Sequence, residues 1–202
     1  MSTLIETPTE SPPILARLKR FSVEEYLRLV DANAFRNDDR FELLEGWILS
    51  EMTRNPAHDV TIDAVNEALR AILPKGWRLR IQSAIMTIDS VPEPDLAIVR
   101  GEARDFLRRH PGSDDVALVV EVADSSLAED RTIKHRIYAR AGIPTYWIVN
   151  IVDSRIEMHT DPNGSTKSPA YRSSIAIGRD GDVPLVVDGR EIGRIAVRDL
   201  LP

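Results

Sequence analysis

The sequence contains no cysteine, so disulfides and thiolate metal sites are excluded. Aromatic residues are scarce, 5% of 202 residues. That gives little support for a paired-carboxylate hydrolase of sugars, which would be expected to have a deep aromatic cleft. Long apolar runs are missing too. No stretch is long enough to span a bilayer, and Met1 to Pro13 lacks a basic segment followed by an apolar one. No membrane partner and a cytoplasmic location are the expectations. Positive charge is in deficit, with a net charge of −6. This argues against a protein that coats nucleic acid. It leaves room for a nuclease, whose acids hold a cation and whose basic groups need only be locally placed.

What is present suits one domain with an ample core, at 43% hydrophobic residues. Residues 1–16 read as a disordered tail before a single domain at 17–202, with a core at about 40–152 and a C-terminal β extension at 153–202. Arg17 to Arg20 add a basic patch. Ser22 and Glu25 form a capping box for a helix with Val23, Tyr26, Leu27 and Val30 on one face. Arg40 to Met52 reads as a β-hairpin about Gly46, with Glu42 and Glu45 beside the turn. After Asn55-Pro56, a helix over 57–73 places Val60, Ala64, Val65, Ala68, Leu69 and Ile72 on its buried stripe and His58 in its first turn. Trp77 to Asp89 alternates as a half-exposed strand, with Arg78, Arg80 and Gln82 on its polar side. The polar segment 101–115, with Arg104, Arg108, Arg109 and His110, is a loop or short helix. It suits phosphate contact or, more simply, a solvated face. Ala117 to Val122 is a buried strand, Asp124-Ser125-Ser126 a turn and helix cap, 129–141 a helix, and 145–151 a strand. Together they predict a βαβ unit. Short strands at 155–159, 170–177 and 183–187 predict a β meander, and Ile195 to Leu201 closes the chain.

The chemical oddity is Glu121. It sits inside the apolar run Val119-Val120-Glu121-Val122, where an unpaired carboxylate is costly. Asp95 opens another apolar run after Pro94, and Pro-Asp is also ordinary turn chemistry. Lys134 lies on the following helix, where Asp130 offers it a simple ion pair at four-residue spacing, worth about 0.3 kcal/mol. Two acids and a lysine delivered by strand, strand and helix suit a hard divalent cation such as Mg²⁺. A bound cation acidifies water and stabilises charge on phosphate oxygens, and a lysine can help the nucleophilic water. The constellation suits phosphodiester hydrolysis, provided that Asp95, Glu121 and Lys134 converge in space.

The spaced motifs resemble the Uma-two family of restriction endonucleases, within the PD-(D/E)XK nuclease superfamily. The matching pieces are Phe41-Glu42-Leu43-Leu44-Glu45-Gly46, His58, Pro94-Asp95, and Val119 to Leu127 around Glu121. Asp130, Lys134, Tyr138 to Pro144 and Tyr146 to Val149 complete them. The resemblance implies an α/β (α+β) fold with a restriction-endonuclease-like core: a mixed central β-sheet flanked by α-helices, followed here by the C-terminal β meander. It also implies roles. Asp95, Glu121 and Glu42 are metal-site acids, and Lys134 is the catalytic lysine, placed on the helix because Ala123 stands two residues after Glu121. His58, Gln82 and Asp124 are neighbours. The implied cofactor is Mg²⁺, with Mn²⁺ as a substitute. The implied partners are DNA and a second copy in a homodimer. The rival expectation is a nuclease-fold protein that binds nucleic acid or a protein without cleaving.

Overall fold

The computed structural model describes residues 18–35, 40–51 and 55–202. The expected tail at 1–16, Arg17 of the basic patch and Met52 at the hairpin's end lie outside the described residues. Helix α1 (Val23–Asp31) starts at Ser22, whose hydroxyl accepts from the Glu25 amide at 3.1 Å while Glu25 accepts from the Ser22 amide at 2.9 Å. Only Tyr26 of its apolar face is buried, and Val30 is exposed, contrary to the expected stripe. Strands β1 (Phe41–Leu44) and β2 (Trp47–Ser50) pair antiparallel. Their two-residue turn, Glu45-Gly46, has positive φ at both positions, the backbone that a tight hairpin needs. A side chain at Gly46 would also collide with Arg20 and the Phe21 carbonyl.

Helix α2 (Pro56–Ile72) is capped by Asn55 with Pro56 in its first turn. Its buried residues are Thr61, Ile62, Val65 and Leu69. The expected stripe is therefore rotated. Val60 is exposed, Ala64, Ala68 and Ile72 are half-buried, and Thr61 can be buried because its hydroxyl donates to the Ala57 carbonyl at 2.8 Å. Strand β3 (Trp77–Ile81) is shorter than the alternation predicts. It stops where Gln82 takes positive φ, and Ile85 turns into a different part of the core.

Strands β4 (Leu96–Arg100), β5 (Val116–Ala123), β6 (Thr145–Asn150), β7 (Arg155–Pro162) and β8 (Tyr171–Gly178) complete a six-stranded sheet in the order β3-β4-β5-β6-β7-β8. Only the β5–β6 pair is parallel. Its crossover is one helical segment made of α3 (Leu127–Glu129), a π-helical turn (Asp130–Lys134) and α4 (His135–Arg140). It ends at Gly142, φ +74°, two residues before Pro144. Segment 101–115 contains two short 3₁₀ turns, Ala103–Phe106 and Ser113–Asp115. The C-terminal meander divides. β7 and β8 extend the central sheet, while β9 (Asp182–Val187) pairs with β10 (Arg190–Ala196), a strand the sequence pattern does not single out. Among the described residues no helix is long and apolar enough to cross a membrane.

The sheet is buried on both faces. One core joins Ile62, Val65 and Leu69 of α2 to Leu118, Val120 and Val122 of β5 and to Val183 and Leu185 of β9. The other joins Val119 and Ala123 of β5, and Ala97 and Val99 of β4, to Ile137 and Tyr138 of α4. Alternation along a strand thus fixes which side chains look at the crossover helix. Ala97 and Val99 of β4 and, beyond the irregularity at the start of β5, Val119 and Ala123 do so, and Asp95 and Glu121 share their parity.

Candidate active site

β4 and β5 pair Ala97 with Val119 and Leu96 with Val120. One step further along this register brings Asp95 opposite Glu121, and the Asp95 amide lies 3.4 Å from Glu121 Oε2. Both acids are almost wholly buried. An uncompensated buried carboxylate costs several kcal/mol, so the surroundings of each matter. The Val122 amide donates to Asp95 Oδ2 at 2.9 Å, and His58 Nε2 lies 3.2 Å from the same oxygen. Asp95 Oδ1 has no hydrogen bond to the described residues. The Gln82 amide holds the Asp95 carbonyl at 2.9 Å.

Lys134 closes the π turn and points back at the strands. Its Nζ is 3.1 Å from Glu121 Oε1 and 3.5 Å from Glu42 Oε1. The simple ion pair that Asp130 offers at four-residue spacing gives way to these buried contacts. Asp130 is itself buried beside Lys134, and its carboxylate accepts from the Ser126 hydroxyl at 2.6 Å. Ser126 therefore does not act as the expected cap, and no side-chain cap bond starts α3. One turn after Lys134, the Tyr138 hydroxyl donates to Glu121 Oε1 at 2.6 Å. Oε1 is thus occupied by helix donors, and Oε2 is left toward Asp95.

Glu42 reaches the cleft from the hairpin. It accepts from the Glu93 amide at 2.6 Å, and β1 is tied to the following loop by the Val91 amide on the Leu43 carbonyl at 2.7 Å. His58 arrives through the α2 cap, where Asn55 Oδ1 accepts from the His58 amide at 3.0 Å. Asn55 Nδ2 also bonds Asp124, so Asp124 braces the start of α2 at the cleft wall. The structure therefore gathers Glu42, Asp95, Glu121 and Lys134 around one point, with His58 on Asp95. Asp124 stands at the wall, and Gln82 contributes through its backbone. The cavity, about 90 Å³, is lined also by Glu51, Glu93, Glu129 and Asp130.

Acids outnumber bases here, and their titration reflects it. Burial pushes Asp95 upward, but the His58 contact, the Val122 amide and Lys134 outweigh it and hold Asp95 below the usual carboxylate range. Glu121 is driven well above that range by burial and by the charges of Asp130, Asp95 and Glu42, which Lys134 offsets only in part. Asp130 is pushed up to about 6, chiefly by burial. Burial disfavours charge on Lys134, yet Glu121, Glu42, Asp130 and Asp95 together keep it a firm ammonium. One ammonium does not neutralise this many carboxylates.

Among the described residues, no three His, Asp or Glu side chains form a ready-made metal cage. The donor chemistry still fits Mg²⁺, which keeps several waters and takes one or two carboxylates with substrate oxygens. The open Oδ1 of Asp95 and Oε2 of Glu121 would supply those carboxylates, and Glu42 stands beside them across Lys134. The residues that sequence reasoning passes over as site members are Asp130 and Tyr138. Their signal is spacing: Asp130, Lys134 and Tyr138 follow one another at four-residue intervals, the stripe of one helical face.

A family model described as "Putative restriction endonuclease", Uma2, matches residues 23–185. The solved structures include a similar chain, the crystal structure of a putative nuclease belonging to DUF820 from Anabaena variabilis ATCC 29413. It is 14% identical, covers 89% of this chain and 97% of its own, and has a TM-score of 0.65. At that identity the likeness is one of fold. No curated protein matches the chain.

Proposed function

This chain belongs to the Uma2 family of restriction-endonuclease-like proteins, and from that premise we propose that it is a Mg²⁺-dependent endodeoxyribonuclease. Asp95 and Glu121 hold the ion, with Glu42 as a further acid of the same site. The bound ion would acidify a water and stabilise charge on the scissile phosphate. Lys134 orients that water and neutralises charge growing on the phosphate oxygens. Tyr138 and Lys134 fix the Glu121 carboxylate through Oε1. His58 and the Val122 amide fix Asp95 through Oδ2. Two copies, as a homodimer, would offer two such clefts to the two strands of a duplex.

The observation that carries this reading is the position of the Lys134 ammonium, 3.1 Å from Glu121 and 3.5 Å from Glu42, beside an acid pair brought face to face by strand register. The test is cleavage of supercoiled plasmid with Mg²⁺, with Mn²⁺ and with EDTA, alongside Asp95→Ala and Glu121→Ala. Metal-dependent nicking that either substitution abolishes is the expected result, a loss of at least about a thousandfold. No cleavage of any DNA form with either ion would leave a nuclease-fold protein that binds without cutting.

A further inference from the structure

The arginines of this acidic chain fall into two groups. Many are answered by carboxylates: Arg109 by Asp115, Arg131 by Glu157, Arg136 and Arg140 by Glu45. Arg78 and Arg80 on β3 have no carboxylate partner among the described residues, and neither do Arg104 and Arg108 of the neighbouring 101–115 segment. Among the described residues, the Arg70 side chain of α2 bonds only the Asn66 side chain, at 2.6 Å. Arg70, Arg78 and Arg80 line one shallow depression with Ser83 and Phe106. Arg80 Nε is buried with no hydrogen-bond partner among the described residues, and its guanidinium lies 5.8 Å from the Phe106 ring centre, which Arg109 approaches at 5.0 Å.

Their place in the sheet gives these charges a direction. β3 is an edge strand. Trp77, Leu79 and Ile81 turn to the α2 core, so Arg78 and Arg80 project from the opposite face. Arg80 pairs with Ala97 and Arg78 with Val99, the face on which Asp95 stands. Arg80 is thus one strand over and two residues along from Asp95. Arg78 continues the line by about 7 Å, close to the distance between neighbouring phosphates along one DNA strand.

We infer that the Arg78–Arg80 edge of the sheet, with Arg70 beside it, is the surface on which the DNA phosphate backbone lies as it enters the Asp95–Glu121 cleft. The inference rests on the nuclease reading for its destination, and on unanswered charge for its partner. Arginines on an edge strand also discourage strand-to-strand association, so that rival belongs in the test.

The experiment measures binding of a labelled DNA duplex across a salt series, in EDTA and in Ca²⁺, for the full chain. The variants are Arg78→Gln/Arg80→Gln, the single Arg70→Gln on exposed α2 surface, and the charge-matched Lys167→Gln/Arg172→Gln at the far edge of the sheet. The β3 pair should weaken binding at least about tenfold near 0.1 M salt. It should lower the slope of log affinity against log salt by about 1.8, and Arg70→Gln should lower it by about 0.9. The far-edge pair should leave the slope alone. In plasmid cleavage, the β3 pair should raise KM and spare kcat. Unchanged slopes, equal losses in the far-edge control, or self-association as the only consequence would each overturn the docking surface. Cleavage with unchanged KM and slope removes the docking surface alone. Arginine-dependent binding with no cleavage under any condition removes the nuclease reading and keeps the surface.

Discussion

The crossover helix carries two charge clusters that differ in balance. On one side, Arg136 and Arg140 meet Glu45 and Asp89, two cations for two anions, with contacts of 2.5 to 2.7 Å. On the other, Lys134, helped only by His58 at Asp95, faces Glu42, Glu121, Asp95 and Asp130, all of them buried. The same hairpin feeds both, Glu45 to the balanced cluster and Glu42 to the unbalanced one. A cluster that only fastens helix to hairpin gains most from neutrality. A cluster left short of positive charge in the interior costs stability, a cost that the proposed Mg²⁺ would relieve.

That contrast can be broken at either cluster. Lys134→Met should lower kcat by about a thousandfold, the range for losing a positioned acid–base or electrostatic group. It should also lower the melting temperature of the metal-free protein, and saturating Mg²⁺ should restore much of that loss; calorimetry with and without Mg²⁺ reads both. Glu45→Ala should cost about 2 kcal/mol by removing the carboxylate on Arg136 and one of the two on Arg140, which keeps Asp89, measured by urea unfolding, and Mg²⁺ should restore none of it. If Mg²⁺ rescues both variants equally, the clusters do not differ in the way described. The smallest effect is in pH. Glu121 and Asp130 titrate above their ordinary values, Asp130 at about 6, so protons compete with metal at low pH. Cation affinity should therefore rise about tenfold from pH 5 to pH 7, with proton release on binding. Titration calorimetry in buffers of different ionisation enthalpy checks this, and flat affinity would mean that these acids do not share the cation.

Much of the architecture was legible in the residues themselves. The capping box at Ser22, the hairpin about Gly46 and the βαβ unit all rest on local chemistry that tertiary packing does not override, although Glu45, read as beside the turn, lies within it. Errors came where packing decides. The stripe of α2 turned because a satisfied Thr61 can be buried and Val60 need not be. β3 ended early because Gln82 adopts a backbone that alternation cannot reveal. β7 and β8 read as an appendage because short alternating strands do not announce which sheet they join. For the candidate site, the Glu121 anomaly and the Asp95 motif pointed to two residues that the structure brings into one cleft. The face on which they meet depends on β4–β5 register, which no single strand encodes. Asp130 and Tyr138 were visible as spacing, but their partner was not.

The π turn at Asp130–Lys134 has a consequence for how this segment can change. A helix residue advances about 100°, and a π turn holds one residue more than an α turn. Lys134 ends that turn, and Arg136 and Arg140 follow it at fixed helical spacing, so the surplus residue sets the phase of all three against Ser126 and Asp130 at the start of the segment. A wide turn of this kind gives up its surplus residue by closing to ordinary α geometry. Deleting a residue between Asp130 and Lys134 would leave Lys134, Arg136 and Arg140 in step with one another and alter only their link to Asp130. The slack of the crossover lies between the cleft lysine and its own buried neighbour.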